Sequence, residues 1–202
     1  MTDQGVRVAA RGPGRPRSVD ADRAIVQATL ETLADDGYHA LSMEAVASRA
    51  GVGKATVYRR WAGKRELVAD ALATLNDTMH ELPPPGPTRA RAQVLMEHVC
   101  RKDPQSLSGR IMPRMMSYRV SHPELFAAYL QRVVEPRRER MRTVLREGIA
   151  RGDVRPDLDV DLATLALTSP LIIMAMGLPP GETPPAGTVD RLADLVWPGI
   201  AP

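Results

Sequence analysis

A single cysteine, Cys100, stands in 202 residues, so no intrachain disulfide can form and the fold must rest on its core. Aromatic residues make up only 3% of the chain, which argues against β-rich sheets, whose strands favour aromatic and β-branched side chains. No charge of one sign dominates: 27 Lys and Arg face 24 Asp and Glu, and the net +3 is too small to demand a polyanionic partner by itself. Long hydrophobic runs are missing as well. The longest in the C-terminal half, Leu171 to Leu178 between Pro170 and Pro179, is far too short to span a bilayer, and Met1 to Ala10 lacks the apolar stretch of a secretory signal. These absences predict a cytoplasmic protein without a membrane anchor. Catalytic and metal spacings are lacking too. His39, His80, His98, His122 and Cys100 are scattered, with His98 and Cys100 on different sides of any helix, and no Gly-rich phosphate loop or nucleophile elbow occurs. Neither an enzyme nor a cofactor is expected.

What the chain has is 44% apolar residues, rich in Ala, Leu, Val and Met, enough to bury a core and suited to helices. An all-α fold follows. The segment through Pro16 is rich in Gly, Pro and Arg with no apolar period, and is read as a disordered basic arm covering residues 1–17. Ser18 can cap a helix bearing Asp20 and Asp22 in its first turn and Ala21, Ile25, Ala28, Thr32 and Leu33 at helical spacing, ended by Gly37. Ser42 can cap a second, two-turn helix that stops at Gly51-Val52-Gly53. A brief helix over Lys54 to Arg60 comes next, and from Lys64 a longer one carries Val68, Ala71, Leu72, Leu75 and Met79. Pro83-Pro84-Pro85-Gly86-Pro87 cannot continue a helix and marks a boundary between a domain over 18–82 and another over 88–202. Beyond it, helices are expected near 88–101, 105–120, 123–151, 159–176 and 187–196, with a kink or break at Pro113 and Pro136.

Local charge is more informative than net charge. Arg7, Arg11, Arg15 and Arg17 form one basic stretch; Lys54, Arg59, Arg60, Lys64 and Arg65 form a second with no acid before Glu66. The second coincides with a two-turn helix, a Gly-containing turn and another short helix, the architecture of a DNA reader. Gly51 permits a backbone conformation that a Cβ resists, so the next helix can project into the major groove, where Arg and Lys donate to guanine and a Thr methyl touches thymine.

The stretch Leu41-Ser-Met-Glu-Ala-Val-Ala-Ser-Arg-Ala-Gly-Val-Gly-Lys-Ala-Thr-Val-Tyr-Arg-Arg-Trp61, followed by Gly63-Lys64-Arg65-Glu66-Leu67 and preceded by Ala-Asp-Asp-Gly37-Tyr38, resembles the DNA-binding domain of the tetracycline-repressor (TetR) family. The likeness covers roughly Ser18 to Leu75. It implies an N-terminal three-helix helix-turn-helix domain and a C-terminal helical domain for ligand binding and dimerisation. The expected function is a transcriptional repressor bound to double-stranded operator DNA as a homodimer and released by a small apolar ligand of unknown identity. Carried onto matching positions, it places Thr56, Tyr58 and Lys64 at phosphates, Lys54, Ala55, Arg59 and Arg60 on or beside the base-reading surface, and Ser42 and Glu44 at the start of the bracing helix. Three positions depart from the pattern. Gly53 and Gly63 replace capping residues and Trp61 replaces the usual Phe, which implies a less stable recognition helix.

Gly12-Pro13-Gly14-Arg15-Pro16-Arg17 resembles the core of an AT-hook, so Arg15 and Arg17 either reach a narrow A·T-rich minor groove or belong to a solubilising tail. An architectural DNA binder without sequence choice or ligand is the alternative function. In the C-terminal part, Leu162, Leu165, Ala166 and Ile173, with Val189, Leu192 and Val196, form apolar stripes for a four-helix dimer interface or for the core. The methionines concentrate after the prolines, and flexible thioethers suit either a core or a cavity. The resemblance implies a cavity there, with Met96, Cys100, Met112, Met116, Phe126 and Leu130 as its candidate lining.

Overall fold

The computed structural model describes residues 19–79, 82–100, 103, 105–179 and 182–202, apart from the side chains of 77–79. The arm, with Arg15 and Arg17, and the cap position Ser18 lie outside the described residues. The described residues form ten α-helices: α1 Val19–Asp35, α2 Met43–Arg49, α3 Lys54–Tyr58, α4 Lys64–Ala73, α5 Thr88–Cys100, α6 Leu107–Ser121, α7 Pro123–Tyr129, α8 Glu135–Arg151, α9 Val160–Gly177 and α10 Thr188–Val196. Among the described residues there is no strand, and the all-α expectation holds.

In α1 the apolar period buries Ile25, Ala28, Leu30, Leu33 and Ala34. Thr29 and Thr32 are buried in the same face, and each hydroxyl donates at 2.8 Å to the carbonyl four residues back, so neither is left unsatisfied. The helix closes on Gly37 at φ 85, with the Asp36 and Gly37 amides both on the Thr32 carbonyl.

Two elements differ from the sequence reading. The helix from Lys64 becomes a 3-10 turn over Thr74–Met79, where the buried Asn76 side chain turns inward. The long helix over 123–151 is divided by a five-residue π turn, Leu130–Val134. The two irregularities meet. Pro136 has no N–H to offer the Arg132 carbonyl, and the Asn76 amide donates to that carbonyl at 2.7 Å instead. Pro113 lies inside α6, and Pro170 lies inside α9, an interior position that the periodicity had not singled out.

Packing crosses the proline boundary. One core joins α1 to α4 with Ile111 and Met115 of α6, Leu125 and Tyr129 of α7, and Val133 of the π turn. The other joins α5, α8, α9 and α10 around Met96, Met141, Leu145, Leu167 and Leu171. Because α6 and α7 pack against the N-terminal helices, they are the structural bridge between the two parts of the chain.

Candidate DNA interface and ligand cavity

Ser42 caps α2 as its position suggested: its backbone is extended, and its Oγ accepts the Ala45 amide at 3.0 Å. After α2 the chain turns at Gly51, whose φ of 66 favours a residue without Cβ. The Thr56 amide bonds to the Gly53 carbonyl at 2.8 Å and opens α3. Val57 is fully buried and pins this one-and-a-half-turn helix to α2, so Lys54, Ala55, Tyr58 and Arg59 stand exposed on its outer side while Thr56 is half-buried. Neither Gly53 nor Gly63 supplies a side-chain cap. At α4 Glu66 compensates, its Oε2 accepting the Ala62 amide at 2.8 Å. Trp61 is buried, with its indole N–H on Asp70 at 3.0 Å, and so serves the core.

The cationic candidates separate. Among the described residues the side chains of Lys54 and Arg59 make no hydrogen bond or ion pair, which leaves both heads available to a polyanion. Arg60 does not. It lies beyond α3, its side chain is only 14% exposed, and its guanidinium pairs with Asp22 of α1. The turn after Arg59 swings this side chain, expected on or beside the base-reading surface, back onto α1. Lys64 is also occupied, its ammonium bonded to the Tyr38 carbonyl and 3.8 Å from the centre of the Tyr38 ring, and burial holds its pKa below the usual lysine value. The Tyr58 hydroxyl, expected at a phosphate, donates to Glu44 Oε1 at 2.9 Å, and that bond raises the phenol's pKa.

The reading helices are joined to the rest of the chain through the end of α1. Arg49 of α2 pairs with Glu31, Asp35 and Asp36. From α6, Arg114 donates to the carbonyls of Ala34 and Asp35 at 2.7 and 2.6 Å, and Arg110 pairs with Asp35. The Tyr118 hydroxyl accepts the Tyr38 amide at 2.9 Å, and the His39 and His122 rings meet Nε2 to Nε2 at 3.2 Å. Sequence reasoning missed this joint, since partners about 80 residues apart leave no local period.

On its other side α6 borders a cavity of about 630 Å³, enclosed with α5, α8 and α9. That size suits a drug-sized molecule. Of the expected lining, Cys100 and Met112 are present, whereas Met96, Met116, Phe126 and Leu130 are not. Helical phase is the reason. Met96 is fully buried in the second core, and Met116 packs against the first. The wall instead takes Met141 and Met176, together with Arg137 and Arg140 of α8. The run Pro136-Arg-Arg-Glu-Arg-Met-Arg142 was a readable signal for those cations, a third basic stretch beside the two noted above.

The outer face of α9 is apolar and uncovered: Leu162 and Ile173 are 64% and 67% exposed, and Leu165 and Met176 are exposed too. Leu195 of α10 is 79% exposed as well. Val189, expected on the same stripe, is buried in the core, and Leu192 and Val196 pack partly against it. By length and composition alone α9 could also cross a membrane.

An exposed cationic helix presented by a Gly turn, with a helical body behind it, defines a DNA-binding regulator of the helix-turn-helix class. Two family models match the chain: "Bacterial regulatory proteins, tetR family" over residues 25–71 and "Tetracyclin repressor-like, C-terminal domain" over residues 82–196. The chain belongs to the TetR family of DNA-binding transcriptional regulators. It is 29% identical over 161 residues to the uncharacterized HTH-type transcriptional regulator YdeS of Bacillus subtilis, covering 78% of this chain and 79% of that one. To the DNA-binding transcriptional repressor TetR of Mycobacteroides abscessus it is 29% identical over 143 residues, covering 69% and 73%. Its fold matches the structure of the flavonoid-responsive regulator FrrA with a TM-score of 0.70 at 18% identity, over 90% of this chain and 97% of that one.

Proposed function

We propose that this protein is a cytoplasmic, homodimeric repressor that binds operator DNA through α2 and α3 and leaves it when a small, largely apolar molecule enters the cavity. Residues 18–82 form the reading domain, with Arg15 and Arg17 as an added minor-groove contact. Residues 88–202 form the sensing and dimerising domain. Lys54, Ala55 and Arg59 face the bases. Thr56 grips a phosphate, and Tyr58 and Lys64 join it once they exchange Glu44 and the Tyr38 carbonyl for phosphate oxygens.

The observation that carries the reading is the double role of α6. It walls the cavity and holds the end of α1, Arg110 doing both, so a ligand that prefers a shifted α6 also shifts the reading head. Only such a difference in affinity between the two arrangements can move the equilibrium. A single head reads few base pairs, and two must sit about one turn of DNA apart, which calls for a dimer. The exposed leucines and isoleucine of α9 and Leu195 of α10 offer the apolar face for it, and a second copy accounts for that face better than a bilayer does, given the Thr164 and Thr168 hydroxyls within α9.

Footprinting on the duplex upstream of the protein's own gene tests the proposal, with light scattering to give the mass. A bounded protected site, competed by random duplex only at a large excess, and a dimer mass that falls in L162E/I173E are expected. Uniform coating of any duplex would favour the architectural alternative.

A further inference from the structure

We infer that the cavity is built for an amphipathic anion: an oxyanion headgroup held by Arg137 and Arg140, on an apolar body lying against Leu95, Met141 and Ile172. This inference rests on the proposed ligand control and deepens it by naming the ligand's chemistry.

The arginines of α8 fall into two sets. On the outer side Arg142 pairs with Glu135, Glu139 and Asp161, Arg146 with Glu139, and Arg151 with Asp153 and Glu147. On the cavity side the matching stops. Among the described residues the Arg137 side chain is held only by neutral acceptors, Asn76 Oδ1 at 2.8 Å, the Leu75 carbonyl at 3.2 Å and Ser108 Oγ at 3.4 Å. Burial lowers its pKa, and the neighbouring Arg140 lowers it further. Arg140 makes no hydrogen bond or ion pair among the described residues, and burial lowers its pKa too. Arg138, at the same wall, reaches Glu135 only at 4.0 Å, and Glu182, the one carboxylate of the wall among the described residues, is itself exposed to solvent.

A buried cation beside a partly buried one, with no counterion among the described residues, is costly, and an anion placed between them recovers that cost through charge-assisted, bidentate bonds. A third donor lies beside them. The Tyr129 phenol lines the cavity within electrostatic reach of Arg137, and burial raises its pKa, which keeps the proton in place to be donated. The π turn creates this grouping. In an unbroken α-helix Val133 would follow Tyr129 along the wall, but here Val133 is buried in the first core and Val134, five residues on, takes the place, with Arg137, Arg138 and Met141 following in helical step. Apart from Gln105, Thr168, Thr183 and Arg110, which pairs with Asp35, the remainder of the wall is apolar, so a small inorganic anion alone would leave most of the space unfilled.

Two matched probe sets decide the matter on the full-length protein: decanoate, 1-decanol and decylamine, and 1-naphthoate, 1-naphthalenemethanol and 1-naphthylmethylamine, with inorganic phosphate as a body-free anion. Calorimetry should show at least one acid binding tenfold or more tightly than its alcohol and amine, with phosphate weaker still. R140Q should remove the preference for the acid while leaving the alcohol's affinity in place, and R140K, which keeps the charge, should restore it. Alcohols or amines binding as well as the acids would overturn the inference, as would an unaltered preference in R140Q, phosphate matching the acids, or no binding by any probe at millimolar concentration. Operator release, followed by fluorescence anisotropy, is scored separately. Acids that bind without releasing DNA would sink ligand control and spare the anion site. Release by neutral compounds alone would do the reverse.

Discussion

Arg59 and Arg60 are adjacent and chemically identical, yet their surroundings give them opposite tasks. Arg59 is exposed and unpaired, whereas Arg60 is folded against Asp22. R59A should therefore weaken operator binding by about 1–3 kcal/mol, the range of a lost base or phosphate contact, with the melting temperature unchanged. R60A should act mainly on stability, by about 1 kcal/mol or less because the Asp22 side chain stays partly exposed. Anisotropy and thermal melting on both variants check the pair, and the opposite pattern would return Arg60 to the reading surface. Lys64 teaches the same lesson. Its place in the motif implies a phosphate, but in the free protein the ammonium rests on the carbonyl and ring of Tyr38. Motif spacing identified the set of candidate side chains; only their neighbours across the fold separate the available from the occupied.

Among the elements, α6 has the most consequential geometry. Arg114 supplies donors to two carbonyls that the end of α1 would otherwise leave open, and Tyr118 accepts the Tyr38 amide directly beyond Gly37. A Cβ on Gly37 would come within 2.7 Å of the Tyr118 hydroxyl, so this contact depends on glycine as much as the turn does. R114M should keep the affinity for a cavity ligand but blunt the release of DNA by that ligand, lowering the coupling factor several-fold. A titration in which R114M releases DNA as readily as the parent would show that coupling runs elsewhere. The helices themselves were largely legible from period, caps and prolines. The π turn was not, because Pro136 announces only that the helical ladder is interrupted, and the form of the interruption depends on Asn76, 60 residues away, reaching the orphaned carbonyl.

At the scale of the whole molecule, exposed carboxylates set the response to acid. Glu44 is held below its ordinary 4.5 by its own backbone amide and then by Tyr58, and Glu139 by Arg146 and then Arg142. Asp153 is held below its ordinary 3.8 by Thr88 and then Arg151, and Asp157 by Arg155. A carboxyl whose pKa is lowered by folding adds stability at pH above its unfolded value and loses it as pH falls through the folded one. The urea midpoint should therefore be level above about pH 5 and decline as the pH drops below about 4; a midpoint that rises on acidification would contradict these pairings.

The sequence by itself determined the all-helical class, the helix-turn-helix and its exposed residues, and the break at the prolines. Each of these is written in residues a few positions apart, where helical period, glycine turns and caps operate. Tertiary structure decided the rest: α6 and α7 join the first core, Arg60 and Lys64 turn inward, and two arginines of α8 face a cavity without counterions. A side chain's partner across the fold depends on helix packing and on the phase shift of one π turn, and neither is encoded in the spacing of near neighbours.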